Sequence, residues 1–329
     1  MKKRILGKTG FEITEIGTGT WQVGGKWGNP FSHDNADAIL NATIDNGVNF
    51  IDTADVYSDG ESEKAVGRLV RSRSERIYVA TKCGRRISPH NDAGYTPKVL
   101  RNHVEDSLKN MGLETIDLIQ LHCPPTETFY RPEIFDLFND LKKEGKILNL
   151  GVSVKLVDQA IKAMEYDNVT SVQIIFNMLR QLPSEKLFTE AKKKNVGILA
   201  RVPLASGLLT GKFSTSTTFG KDDHRAPIRE KEAFSNNEAF GGLDFTKGLE
   251  AVEEIKSIFG NETKLSALAL KWILMHPEVS CVIPGASSTD QVLSNIQAAE
   301  FPALTAEQMT QIKQIYEKHI SPNLAHVLW

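Results

Sequence analysis

Short apolar runs and longer helical segments alternate along nearly the whole chain, and few folds accept that rhythm. The runs are NFIDT, IYVATK, IDLIQLH, ILNLGVS, SVQIIFN, VGILARV and SCVIPG, and EIGTGT near the start supplies an eighth. Between them lie stretches such as PKVLRNHVEDSLKNMG, where Val99, His103, Val104, Leu108 and Met111 recur at helical steps. Strands that are apolar on both faces and alternate with helices predict a parallel sheet covered by helices. Eight such units predict a closed (β/α)8 barrel rather than an open sheet. RILGKTGFEIT has a turn signal at Lys8–Gly10 between two short runs, which predicts a β-hairpin capping the barrel floor. The stretch from Pro203 to Gly242, rich in Gly, Ser, Thr and Asp, predicts a long binding loop or lid. With no linker in view, residues 1–329 are expected to form one barrel domain with extra C-terminal helices.

Composition removes several classes of function. A net charge of −2 on 329 residues lacks the basic excess of a nucleic-acid binder. The longest apolar stretch, LSALALKWILM, is too short to span a bilayer and contains Lys271. MKKRILGKTGFEI has no apolar run behind its lysines and is not read as a secretory signal. Cys83, Cys123 and Cys281 are widely spaced, which suggests neither a disulfide framework nor a zinc site. A cytoplasmic enzyme with no metal is the expectation.

The chemistry is written at the strand ends. Asp52 closes NFID, Lys82 closes IYVATK, His122 closes IDLIQLH and Ser153 closes ILNLGVS. In a barrel these ends converge on one mouth. A buried Asp, Lys or His costs several kcal/mol, on the order of a lost ion pair, unless partnered, and four polar groups at one mouth can partner each other. Tyr57, five residues beyond Asp52, is a phenol with an ordinary pKa of about 10. An ammonium from Lys82 would stabilise its phenolate and bring proton exchange nearer neutral pH. Asp52 would keep Lys82 charged, and His122 could donate to a developing oxyanion. Such a set suits protonation of a carbonyl oxygen while a hydride arrives from elsewhere.

DTADVYSDGESE resembles the D-T-A-x-x-Y-G signature of the aldo-keto reductases. ATK resembles their strand-three lysine motif and IQLHCP their strand-four histidine motif. The resemblance covers nearly the whole chain and points to the bacterial, long-loop branch that is similar to potassium-channel β subunits. It implies NADPH-dependent reduction of an aldehyde or ketone, with Asp52, Tyr57, Lys82 and His122 as the catalytic set. Ser58 stands where the family has glycine after the tyrosine.

No Rossmann fingerprint or P-loop is present: Gln22 fills the third glycine's place in GTGTWQVGG, and Phe213 spoils GLLTGKF. The resemblance instead implies a nicotinamide dinucleotide lying across the mouth. Thr20, Trp21, Ser153, Gln173 and Arg201 match its nicotinamide side. Leu204, Ser206, Gly207, Leu208 and Lys212 match the pyrophosphate loop, and Gly285, Ser287, Gln291 and Asn295 match the adenosine side. Val154 replaces an asparagine common after the serine, and Arg201 replaces an aromatic ring. Gly285 and Gln291 replace the basic residues of some branches, so a preference for NADPH (NADP+) over NADH would rest on Lys212, Arg225 or other cations. Trp21, Trp27, Phe129 and Tyr130 are expected to wall a substrate pocket. The sequence names no substrate and no oligomeric state. Two rival readings are an NADPH-binding redox sensor with slow turnover, and an aldolase using Lys82 as a Schiff base. The second conflicts with an Asp52 that keeps the lysine charged.

Overall fold

The computed structural model describes residues 1–25, 30–220, 223, 225, 243–260 and 262–324. Trp27 and residues 226–242 of the long loop lie outside them. Two strands, β1 (Lys3–Ile5) and β2 (Glu12–Thr14), pair antiparallel as the expected hairpin. Eight parallel strands follow: β3 (Thr18–Gly19), β4 (Phe50–Asp52), β5 (Tyr78–Cys83), β6 (Ile116–His122), β7 (Ile147–Ser153), β8 (Val169–Ile175), β9 (Gly197–Arg201) and β10 (Val279–Val282). They pair in chain order, and parallel bridges Ile16–Val282 and Gly19–Gly285 join the first strand to the last. The sheet thereby closes into the expected (β/α)8 barrel.

Helices α1 (His33–Asp45), α2 (Glu61–Ser72), α3 (Pro97–Met111), α4 (Pro132–Lys143), α5 (Val157–Ala163) and α6 (Leu182–Lys193) cover its outer face. Helices Phe245–Phe259, Leu265–Leu274, Thr289–Gln297 and Ala306–His319 follow. Local sequence sets their ends. Thr96 accepts from the Val99 N–H ahead of Pro97, and Gly112 closes α3 in the left-handed region at φ 62°. Among the described residues no helix is long and apolar enough to cross a membrane.

The barrel interior is layered. Leu6 and Ile13 from the hairpin plug the floor against Phe50, Ala80, Leu118, Leu199 and Cys281. Side chains two residues further along a strand lie one layer higher on the same face. That step turns Phe50 into Asp52, Ala80 into Lys82 and Leu118 into Gln120. A dry floor therefore supports a polar layer just below the mouth. Arg4 on the hairpin donates to the carbonyls of Leu274 (2.7 Å), His276 (3.1 Å) and Val279 (2.6 Å), fastening the floor to the last strand.

Candidate active site

Strand register brings the polar strand ends side by side. Lys82 stands opposite Gln120, His122 opposite Ser153, and Ser153 opposite Gln173. Lys82 Nζ donates to Asp52 Oδ1 at 2.6 Å, to the Thr53 carbonyl at 2.7 Å and to Tyr57 Oη at 3.1 Å. Three protons on the ammonium thus have three acceptors. Asp52 Oδ2 accepts from Gln120 Nε2 at 3.0 Å and Gln173 Nε2 at 2.7 Å. Both oxygens of this buried carboxylate are bonded, which is the condition under which a buried ion pair is tolerated. Gln120, which the sequence reading passed over, is as buried as Lys82. Its signal was a lone amide two residues before His122 on the same face of the strand.

The electrostatics follow from this packing. Burial alone would depress the Lys82 ammonium, but the attraction of Asp52 and Tyr57 outweighs it and holds the group above its ordinary value. Tyr57 departs from the sequence expectation. Burial raises its hydroxyl by more than Lys82 lowers it, so the net shift is upward. The ring itself is partly exposed at the mouth, while the hydroxyl end lies in dense packing beside Lys82. His122 meets the Tyr57 ring edge-on, with centroids 6.2 Å apart and planes at 84°. Trp21, 47% exposed, stacks on the Tyr57 ring with centroids 6.2 Å apart and planes at 25°.

The residues expected to hold a cofactor fall into three groups. Ser153 Oγ donates to Gln173 Oε1 at 3.3 Å, next to Asp52. Arg201 ends β9, and its Nη2 reaches the Val154 carbonyl at 3.1 Å and Cys123 Sγ at 3.7 Å, so the two departures from the family pattern meet. Thr20 lies deeper: its hydroxyl donates to the Asp52 carbonyl at 3.1 Å and accepts from Ser62 at 2.7 Å. After β9 the backbone turns left-handed at Val202, Ala205, Ser206 and Gly207. Within this turn the Ala205 N–H donates to the Val202 carbonyl at 3.1 Å and the Gly207 N–H to the Leu204 carbonyl at 2.9 Å. Leu204 is partly exposed, Leu208 is buried and Lys212 is exposed on this loop. Arg225 is tied into the same place, paired with Asp223 at 2.5 Å, donating to the Ser206 carbonyl at 3.3 Å and lying over the Phe219 ring.

On the third side, Gly285 bridges to Gly19 and is exposed, and a Cβ there would meet Gln22 Oε1 at 3.7 Å and the Gly19 carbonyl at 3.9 Å, ordinary contact distances. Asn295 Nδ2 donates to the Gly285 carbonyl at 3.2 Å, while Gln291 Oε1 accepts from the Ser287 N–H at 2.8 Å. One expectation fails. Phe129 is fully buried in the main core beneath the loop and walls no open pocket, because the loop folds inward there. Tyr130 is 63% exposed, with the Lys162 ammonium 4.8 Å from its ring.

Comparison with known proteins places this geometry. The profile of the Aldo/keto reductase family matches residues 15–317. The chain is 28% identical to an NADH-specific methylglyoxal reductase of Escherichia coli, over 91% of this chain and 93% of that protein. It is 27% identical to a probable voltage-gated potassium channel subunit beta of Oryza sativa, over 96% of this chain and 97% of that one. Among solved structures, the glycerol dehydrogenase of Gluconobacter oxydans superposes with a TM-score of 0.78 at 30% identity, covering 97% of this chain and 96% of that one.

Proposed function

The chain belongs to the aldo/keto reductase family and is an NAD(P)H-dependent oxidoreductase, and we propose that it reduces an aldehyde or ketone of modest size with Tyr57 as the proton donor. The observation that carries this reading is the Lys82 ammonium bonded at once to Asp52 and Tyr57. Because Tyr57 Oη accepts from Lys82, its own hydrogen is left to point toward the mouth. A raised hydroxyl stays protonated at neutral pH, as an acid for reduction must. Once the proton is given up, the phenolate rests against an ammonium held charged by Asp52. His122, edge-on to Tyr57, would take the carbonyl oxygen from the other side. Trp21 would offer the substrate a flat apolar wall.

A nicotinamide dinucleotide, when bound, supplies the hydride. The residues present suit it. Ser153 Oγ and Gln173 Oε1 keep lone pairs to accept from a carboxamide, and the resemblance puts a pyrophosphate on the loop at Ser206–Gly207, beside Arg225. The exposed backbone at Gly285, with Ser287, Gln291 and Asn295, is where the resemblance puts an adenosine. We favour NADPH, with Lys212 and Arg225 as the cations for its extra phosphate, and the E. coli relative named for NADH makes the comparison of both coenzymes necessary.

The test is NADPH and NADH oxidation with an activated aromatic aldehyde and with a small dicarbonyl such as methylglyoxal. Tyr57→Phe is expected to lower turnover by about 100-fold or more while coenzyme binding persists. Tight binding with no turnover in the unaltered protein would replace this reading with that of a redox sensor.

A further inference from the structure

Asp55 lies between Asp52 and Tyr57 in the segment leaving β4, and it is fully buried. Among the described residues neither of its carboxyl oxygens has a hydrogen-bond partner. The Val56 N–H favours its anion without completing a bond. The base that faces it is His103 on α3, with Nδ1 3.9 Å from Asp55 Oδ2. That ring nitrogen accepts from the Gly84 N–H at 3.2 Å. The imidazole proton therefore sits on Nε2, and Nδ1 cannot donate to Asp55.

The other groups around Asp55 pull in both directions. Burial raises its carboxyl first, Glu63 on α2 adds repulsion, and Arg86 and Lys82 attract too little to offset them, leaving it at about 7. Cys83 at the end of β5 and Tyr95 ahead of α3 are held in their neutral forms by burial. Burial, and then Arg86, hold His103 below its ordinary value, which keeps the ring neutral. A neutral buried carboxyl forgoes a hydrogen bond, whereas an unpaired buried anion costs far more. The adjoining backbone is strained as well. Ser58 and Asp59 are both left-handed, at φ 49° and 53°, immediately after Tyr57.

We propose that Asp55 and His103 form a proton-operated latch behind the Tyr57 loop: neutral Asp55 keeps Tyr57 against Lys82, and ionised Asp55, offered no proton by His103, turns out toward water and carries Tyr57 away from Lys82. The proton leaves to bulk water, and the loop movement relieves the strain at Ser58 and Asp59. Asp55 is a positioning residue here. The inference rests on Tyr57 being the proton donor, but its structural half can be tested without turnover.

Trp21 stacks on Tyr57 and reports the loop. Tryptophan emission of the full chain, free of coenzyme, is followed from pH 5 to 9, with circular dichroism as the check on folding. The expected result is a transition near neutral pH that is missing from Asp55→Asn. Turnover of the unaltered protein should fall through the same range, while Asp55→Asn keeps it. His103→Gln places an amide donor beside the carboxylate, lets the anion stay buried, and should weaken or abolish the transition; it also serves if Asp55→Asn does not fold. A flat emission profile in the unaltered protein, a transition unchanged in Asp55→Asn, or one of full size in His103→Gln would overturn the latch. Absence of turnover at every pH would instead count against the reductase reading, and the emission would still decide the latch.

Discussion

Gln173 Nε2 lies 2.7 Å from Asp52 Oδ2, which ties the end of β8 to the end of β4 through the barrel interior. The amide also bonds Gln120 Oε1 at 3.2 Å and accepts from Ser153, so one side chain links the ion pair to the serine beside it. Gln173→Leu should cost roughly 1.5–3 kcal/mol, the range for a hydrogen bond to a buried charge. Urea denaturation of the coenzyme-free protein measures this, and a double-mutant cycle with Asp52→Asn should be strongly non-additive. Additive losses would mean that Gln173 does little for Asp52.

Ser58 occupies a left-handed position at φ 49° in which a side chain is unfavourable. Ser58→Gly removes a strain of about 1–2 kcal/mol and adds an entropy loss of about 0.5–1 kcal/mol. A net gain of roughly 0.5–1 kcal/mol is expected, seen as a higher melting temperature with turnover nearly unchanged.

His276 sits among Phe176, Phe188 and Trp272, and among the described residues its Nε2 has no hydrogen-bond partner. Burial lowers it to about 4. Between that value and an unfolded value of about 6.5 the unfolded chain binds more protons, so stability rises with pH across this window. Lowering the pH from about 6.5 to 4 should therefore remove up to roughly 3 kcal/mol through this group. His276→Phe should flatten that part of the curve of melting temperature against pH, whereas an unchanged slope would exonerate the histidine.

The guanidinium of Arg201, held by the Val154 carbonyl, places a positive charge where the resemblance puts the nicotinamide. An oxidised ring is cationic and a reduced one neutral, so the reduced coenzyme should bind more tightly. Arg201→Met should shrink the ratio of the two dissociation constants severalfold by fluorescence titration. Equal affinities in the unaltered protein would end this argument.

Much of this site could be read from the sequence because an apolar strand with one polar end leaves few explanations. Asp52, Lys82, His122 and Ser153 were legible on that ground. Gln120 was harder to see, since an amide inside an apolar strand reads as an interruption until its neighbours across the sheet are known. Asp55 stands in a polar stretch of the sequence, and only the packing around it shows that it is buried. Phe129 failed for the opposite reason: position in a loop does not say whether an aromatic ring faces in or out. The shift at Tyr57 was misjudged because spacing reveals its ammonium neighbour but not the depth at which its hydroxyl sits.

The joint between β3 and β10 has a consequence for how the protein is made. Bridges from Ile16 and Gly19 reach Val282 and Gly285, and Arg4 reaches the chain just ahead of β10. These partners leave the ribosome about 270 residues apart. The nascent sheet must therefore wait with a bare edge until almost the entire polypeptide has emerged, an interval in which a stray strand from another molecule can pair with it. Closure of the ring waits for β10, and the helices that follow it, Thr289–Gln297 and Ala306–His319, are made only as that interval ends.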